Sequence, residues 1–304
     1  MGSMSNAWPE LPFAAWRDTY ATLHLWVQMV GKTRLALAPM ENHYWQVALY
    51  LTPRGLTTSP MPEGTRTFAV DFDFIDHRLV IRTSDGATKT LALAPRPVAD
   101  FYAEYRESLQ ALDLPVTIWP VPVEIDHPIP FAEDREHRSY DPEFANRFWR
   151  ALMETDRVLK RYRGLFLGKA SPVHLWFGAL DLAATRFSGR TAPRWGGTPL
   201  NCPLSVMVEA YSHECASCGF WPGNDAFPEP AFYAYAYPAP PGYAQHTVRP
   251  AQAYYHNGLG EFILPYDAVR TAASPDDALM QFAQSTYEAA ADLANWDRAA
   301  LERR

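Results

Sequence analysis

The order of helical and β-rich segments constrains the fold of this chain most. An amphipathic helix predicted over residues 16–30 is followed by several short β-rich runs and by a second helix over 98–112. The same order then starts again with a long helix from Pro142. Strands joined by tight corners, such as residues 84–86, pair antiparallel, whereas parallel strands need a crossover between them. We therefore predict an α+β fold of two related halves, each an antiparallel sheet flanked by helices, forming one globular unit.

The residues that end these segments set the predicted boundaries. Gly31 is expected to cap the first helix at its carboxyl end, and Asp141 to cap the long helix at its amino end. The aromatic run 43–52 is expected to be a buried strand. A polar, proline-bearing stretch before the long helix is the predicted connection. The predicted divisions are a cloning remnant at 1–4, a first half at 5–125, a connection at 126–142 and a second half at 143–304.

An internal similarity supports the prediction of two related halves. Residues 43–51 and 174–182 align without a gap, and each begins with a His-x-Trp motif followed by Ala-Leu-x-Leu. Such agreement indicates a duplication. If the two strands correspond, His43 and His174 occupy equivalent positions, and we expect them to face a shared central cleft.

Composition excludes several classes of protein. The chain carries 27 basic and 34 acidic side chains, a net charge of −7, whereas proteins that bind nucleic acid need clustered positive charge. No apolar run approaches the roughly 20 residues of a membrane-spanning helix. Three cysteines are too few for a disulfide framework. We therefore expect a cytoplasmic protein that binds a small molecule, with neither nucleic acid nor membrane as a partner.

Several segments resemble a known family. They are WPELP at 8–12, DFDFIDHRL at 71–79, SPVH at 171–174 and GFWPG at 219–223. In these segments the chain resembles an uncharacterised bacterial family, domain of unknown function 5996, and the likeness spans nearly the whole chain. The resemblance implies no activity. It includes Ser-His-Glu at 212–214, whereas Cys215 and Cys218 are local to this protein.

Histidines supply the most attractive candidate site. Neutral imidazole is the commonest metal ligand, and two or three histidines with a carboxylate leave positions open for water or substrate. Strand alternation is expected to place His174, Trp176 and Arg186 on one side and Asp181 on the other. We predict that a divalent transition metal is bound by His43, His174 and His213. Catalytic roles are predicted for Glu214 and for Arg186, the latter as an anion anchor. The predicted walls of the substrate pocket are Trp45, Trp176 and Tyr233.

Other interpretations stay open at this point. A Cys-x-x-Cys motif at 215–218 is compatible with a zinc knuckle or a redox pair, but two small buried residues are favoured because no second cysteine pair exists. No phosphate-binding glycine loop, nucleophile elbow or His-Glu-x-x-His motif occurs. The main hypothesis is a small-molecule enzyme with a histidine-rich cleft. The alternatives are a non-catalytic ligand-binding protein with an aromatic cavity and a structural or interaction protein.

Overall fold

The fold consists of two antiparallel sheets with helices packed against them, which confirms the predicted α+β class. The computed structural model describes residues 7–199 and 201–303, so the predicted cloning remnant at 1–4 lies outside the described residues. None of the helices in this described part of the chain is long and apolar enough to cross a membrane.

The first sheet is followed in the chain by one helix and preceded by another. Its strands pair in the order β1-β2-β4-β5-β6, with β3 also paired to β4. The elements are α1 (Phe13–Leu37), β1 (Tyr50–Thr52), β2 (Gly55–Thr57), β3 (Met61–Glu63), β4 (Arg66–Asp73), β5 (Arg78–Thr83), β6 (Thr88–Ala92) and α2 (Val98–Gln110). The predicted meander and second helix are thus confirmed.

The second sheet follows a long helix, and its strands pair in the order β11-β12-β10-β9-β8-β7. The Asp141 side chain accepts a hydrogen bond from the backbone N–H of Glu143 at 2.9 Å, which confirms the predicted helix start. The elements are α3 (Pro142–Gly164), β7 (His174–Trp176), β8 (Asp181–Thr191), α4 (Leu204–Ala210), β9 (His213–Trp221), β10 (Ala231–Tyr237), β11 (Tyr254–His256), β12 (Glu261–Pro265), α5 (Tyr266–Arg270), α6 (Pro275–Leu293) and α7 (Arg298–Leu301).

Two predictions of local structure were wrong. Helix α1 continues through Gly31, because this glycine is a packing position where a Cβ would collide with the Phe177 ring. The run that begins at His43 is a 3₁₀ helix over Asn42–Val47, in which His43 and Tyr44 have left-handed backbone with φ of 60°. Tertiary packing, which the local sequence pattern does not record, determines both departures.

The expected equivalence of His43 and His174 was also wrong. His43 lies in the 3₁₀ helix, whereas His174 begins strand β7. The residues that pair across the two sheets are Leu49 and Leu175, whose backbone N–H and C=O groups exchange hydrogen bonds of 2.9 and 2.8 Å. An antiparallel bridge therefore joins the edge of one sheet to the edge of the other.

The second sheet has two faces of different character. One face, here called the core face, carries Leu182, Phe220 and Phe232 and packs against α3 and α6. Because side chains alternate along a strand and register pairs share a face, the remaining positions define the opposite, polar face. The polar face carries His174 and Trp176 of β7, Asp181, Thr185 and Phe187 of β8, His213, Ser217 and Trp221 of β9, and Tyr233 and Tyr235 of β10.

Candidate functional site

Two of the three predicted metal ligands lie together at one end of the polar face. The His43 and His213 ring centroids are 5.7 Å apart. However, His43 Nδ1 lies 2.9 Å from the Ala210 carbonyl oxygen and His43 Nε2 lies 2.7 Å from Lys169 Nζ, so both ring nitrogens are engaged. A lysine ammonium also occupies the place where a metal cation would bind. We call His43, Lys169 and His213 the basic end of the polar face.

The third predicted ligand, His174, is separated from this pair by an indole. Its ring centroid lies 6.5 Å from that of Trp45 and 4.6 Å from that of Trp176, and the side chain is completely buried. Neither ring nitrogen has a hydrogen-bond partner among the described residues. Burial, and secondarily the charge of Arg34, lowers the pKa of His174 to about 3, so the ring stays neutral. Trp45 and Trp176 pack around this ring and do not line the cavity described below.

The described residues contain no group of three or more His, Cys, Asp or Glu side chains arranged to hold a metal ion. The separation of His174 and the engagement of both nitrogens of His43 explain this result. The predicted three-histidine metal centre is therefore not supported by the geometry.

Arg186 lies on the core face, so the expectation that it shares a side with His174 and Trp176 was wrong. The chain turns back after Trp176, and the resulting register puts Asp181, not Arg186, beside these two residues. Arg186 is 1% exposed, and its guanidinium stacks on the Tyr162 ring with Cζ 3.5 Å from the centroid. It also donates to the Tyr162 carbonyl oxygen. Arg186 is thus a buried cation that joins sheet and helices, held mainly by aromatic faces.

Glu214 also lies apart from the histidines, because it alternates with His213 along β9. Its carboxylate oxygen accepts hydrogen bonds from Ser188 Oγ at 2.9 Å and from Arg190 Nε at 2.8 Å. A carboxylate that is already paired with a guanidinium is poorly suited to accept a proton from a substrate. The geometry assigns Glu214 to a local ion pair at the end of the strand.

The two neighbouring cysteines are ordinary buried residues, as the favoured interpretation predicted. Both are free and buried, and their odd spacing on β9 places the two thiols on opposite faces of the sheet. Burial raises the pKa of Cys215 and that of Cys218 to about 12. They therefore form neither a zinc knuckle nor a redox pair.

Tyr233, one of the predicted pocket residues, contacts a buried carboxyl group. It reaches across β9 to donate a hydrogen bond from its hydroxyl to the Asp181 carboxylate. This path crosses Gly219, where a Cβ would collide with the Tyr233 ring, so only glycine leaves room for the contact. Burial raises the pKa of Asp181 to about 6, although the bond from Tyr233 opposes the shift.

A second carboxyl group, that of Glu124 in the irregular segment between α2 and α3, lies close enough to Asp181 for the two charges to interact. Glu124 makes no hydrogen bond and no ion pair with any residue in 7–199 or 201–303. Its side chain is solvent-accessible where it lines a cavity, but the protein around it, and secondarily the charge of Asp181, raises its pKa to about 7. Glu261 in β12 has its pKa raised to about 7 by the same two causes. We call Asp181, Tyr233, Glu124 and Glu261 the acid end of the polar face.

Backbone geometry holds both carboxyl groups in place. Glu124 itself has left-handed backbone with φ of 56°, and so does Leu180, the residue before Asp181. Non-glycine residues in this region cost of order 1 kcal/mol or more and persist where packing imposes them, often at functional sites. Glu124 also lies directly over Gly178, where a Cβ would overlap its carboxylate.

A cavity of about 310 Å³ opens beside Glu124. This volume lies at the lower end of the range typical of small-molecule pockets. Aromatic rings form much of its wall, and His24 and Asn224 add polar groups. The lining residues are Tyr20, His24, Glu124, Ala179, Trp195, Thr198, Pro199, Cys202, Met207, Trp221 and Asn224.

Helix α1 positions the loops that carry this site. His24 Nε2 lies 2.8 Å from the Gly178 carbonyl oxygen. The Gln28 amide donates to the Val123 carbonyl oxygen and accepts from the Val123 N–H, each at 2.8 Å, which fixes the residue just before Glu124. The sequence pattern predicted an amphipathic helix here, but His24 and Gln28 were not among the predicted site residues. The available signal was the four-residue spacing of its polar side chains: Tyr20, His24, Gln28 and Lys32.

Comparison with known proteins agrees with the resemblance seen in the sequence. The model of a family of unknown function, DUF5996, matches residues 8–303, nearly the whole chain. None of the curated proteins and none of the solved structures matches it. The chain therefore belongs to the family of unknown function DUF5996.

Proposed function

We propose that the cavity beside Glu124 is the active site of an enzyme that transfers protons to and from a small organic molecule. The observation that carries this proposal is the cavity-lining carboxyl group of Glu124, which makes no hydrogen bond or ion pair with any described residue. A second carboxyl group, that of Asp181, is held by Tyr233 and is near enough for its charge to raise the pKa of Glu124. General acid–base catalysis uses such pairs, because their surroundings keep one group protonated near neutral pH.

The roles follow from the surroundings of each group. Because its pKa is raised to about 7, Glu124 keeps its proton closer to neutral pH than an ordinary glutamate does, so it is suited to deliver a proton to a bound ligand. Asp181, with a pKa of about 6, does not line the cavity, and its role in the proposal is to supply the negative charge that helps to raise the pKa of Glu124. The aromatic walls favour a substrate with an apolar or planar portion.

The other expectations for this chain are part of the same proposal. A small-molecule ligand is expected from the cavity, and the net charge of −7 is the reason to expect no nucleic-acid partner. A cytoplasmic location stays a prediction based on the few cysteines. The sequence-based metal cofactor has no role in this proposal.

The test is to incubate wild-type protein and Glu124→Gln with a small-molecule extract of bacterial cells and follow the extract by mass spectrometry. We expect wild type to convert at least one compound and Glu124→Gln to do so about 100-fold or more slowly, the size of a typical acid–base contribution. Glu107→Gln, at an exposed position on α2, is the matched control and should behave as wild type.

A specific observation favours a second function, that of a ligand-binding protein. Tyr20, Trp195 and Trp221 offer three aromatic surfaces to a ligand without any need for chemistry. Native mass spectrometry distinguishes the two functions. A retained organic ligand that wild-type protein leaves chemically unchanged would replace the enzyme proposal with this one.

A further inference from the structure

The basic end of the polar face contains an amine in contact with a base. Lys169 Nζ lies 2.7 Å from His43 Nε2, and His43 Nδ1 lies 2.9 Å from the Ala210 carbonyl oxygen. A carbonyl oxygen only accepts, so Nδ1 carries the proton and donates to Ala210. The lone pair of Nε2 is then directed at the Lys169 ammonium. The imidazole is thereby oriented to accept a proton from the lysine.

The position of His43 is imposed by its surroundings. Its backbone has φ of 60°, and its ring packs against Phe187 with centroids 4.5 Å apart. Left-handed backbone is unfavourable for a residue with a side chain, so the packing of the ring maintains it. Burial lowers the pKa of His43, and the neighbouring charges of Lys169 and His213 lower it further. His43 is therefore a neutral, fixed imidazole.

Lys169 differs from the other three lysines of the chain. It is only partly buried, and its ammonium lies 5.1 Å from the Phe187 ring centroid and 5.5 Å from that of Trp45. No carboxylate oxygen of the described residues lies within 4 Å of it. Burial lowers its pKa. Burial also lowers the pKa of Lys32, to about 8, but this side chain is 3% exposed and so less accessible than Lys169. Lys160 forms a 2.7 Å ion pair with Asp156, and Lys89 is exposed.

We propose that Lys169 is a nucleophilic amine, activated by His43, that forms a Schiff base with an aldehyde or ketone. A nucleophile within hydrogen-bond reach of a base, itself oriented by a third group, is the arrangement on which covalent catalysis by side chains depends. This site is separate from the proposed acid–base cavity, since neither Lys169 nor His43 lines it. The ligand class is a small carbonyl compound.

All atoms and protons of the covalent step come from Lys169, His43 and the ligand. The Lys169 ammonium gives a proton to His43 Nε2, and the free amine adds to the carbonyl carbon to form a C–N bond. The carbonyl oxygen takes up two protons, one lost by the lysine nitrogen and one returned by His43, and leaves as water when the C–O bond breaks. The product is an imine, so amine and carbonyl compound give imine and water with no change of oxidation state.

The test uses the small number of lysines. Intact folded protein is treated with limiting propanal and sodium cyanoborohydride, which reduces the imine to a stable secondary amine, and each lysine is quantified by peptide mass spectrometry. We expect Lys169 to be alkylated at least about tenfold faster than Lys89. Exposure alone would give the opposite order, because Lys89 is the more accessible. Labelling of Lys89 at an equal or greater rate would overturn the proposal.

A variant tests the role of the imidazole. His43→Asn keeps a side chain that tolerates left-handed backbone but cannot take up a proton. The advantage of Lys169 over Lys89 should fall about tenfold in this variant and stay unchanged in His246→Asn, at an exposed position. An unchanged ratio in folded His43→Asn protein would overturn the activation by His43. If the variant does not fold, the wild-type ratio still decides the proposal.

Discussion

Burial shifts pKa values in opposite directions at the two ends of the polar face. At the acid end, burial raises the pKa of Asp181; at the basic end, burial lowers the pKa of His43 and that of Lys169. The ends lie on one strand face, since Asp181 and Phe187 are six residues apart on β8, about 20 Å at the usual rise. Low-dielectric surroundings disfavour the charged form whatever its sign. Burial therefore shifts the pKa values at the two ends in opposite directions, upward for Asp181 and downward for His43 and Lys169.

The first sheet shows what a buried carboxylate does when partners are present. Burial alone would raise the pKa of Asp73, but the Arg54 guanidinium at 2.8 Å and the N–H groups of Ile75 and Asp76 hold it below its usual value. Asp181 has a phenol where Asp73 has a guanidinium. Carboxylates of similar solvent exposure therefore have a lowered pKa in one sheet and a raised pKa in the other.

The largest stability effect should come from the buried imidazole beside the basic end. A pKa lowered from 6.5 to about 3 means that the folded state favours neutral His174. The stability that this contributes is present above pH 6.5 and is lost as pH falls toward 3. This loss is absent in His174→Phe. When the pH is lowered from 7 to 4, the free energy of unfolding of the variant should therefore rise by about 3 kcal/mol relative to that of wild type.

Urea unfolding at both pH values measures the gain for His174→Phe. The exposed replacement His246→Phe should show the pH dependence of wild type. Parallel curves for wild type and His174→Phe would mean that burial does not hold His174 neutral, which would contradict the assigned pKa shift.

The acid end should give a smaller effect of opposite sign. Because the folded-state pKa of Asp181 is raised from 3.8 to about 6, its contribution to stability is present below pH 3.8 and is lost as pH rises through 6. Asp181→Asn keeps an acceptor for Tyr233 and removes the charge. When the pH is raised from 4.5 to 8, the free energy of unfolding of the variant, measured with urea, should rise by about 2 kcal/mol relative to that of wild type. No gain, or a gain equal to that of exposed Asp267→Asn, would contradict the assigned shift.

The smallest stability effect is expected from Gly178→Ala. The new Cβ overlaps the Glu124 carboxylate, but this is the far end of a flexible side chain that moves readily, so the cost should be about 1 kcal/mol or less. The displaced carboxyl group should titrate below the present pKa of about 7, as seen in carbon-13 NMR. Gly196→Ala, where nothing lies within 4 Å of the added Cβ, is the control. An unmoved Glu124 titration would show that Gly178 does not position this group.

Elements with a strong local signal could be predicted from the sequence. Asp141 followed by Pro142 indicated the start of α3, and the amphipathic pattern of residues 98–112 indicated α2. The hairpins of the first sheet were predicted from turn residues and alternation. Each of these depends on neighbours in the chain.

The candidate site was harder to predict because its parts are distant in sequence. Of the predicted residues, His43 and His213 do lie together, and Tyr233 does belong to a cavity-side cluster. Glu124 was missed because it lies in an irregular segment with no periodicity to mark it. Arg186 was assigned to the wrong face because the alternation of side chains was assumed to continue from β7 into β8. The chain reverses between these strands, and a reversal changes which residues share a face.

The sequence by itself determined the fold class, the long helices, the antiparallel meander and membership of the family, since these follow from local pattern and composition. Tertiary structure alone decided which charged groups meet. It enclosed Arg186 among aromatic rings and directed Lys169 at His43, and it placed no cation of the described residues in an ion pair with Glu124 or Asp181. The physical reason is that the protonation of a buried group depends on solvent exclusion and on partners within a few ångströms, and only the folded chain brings these together.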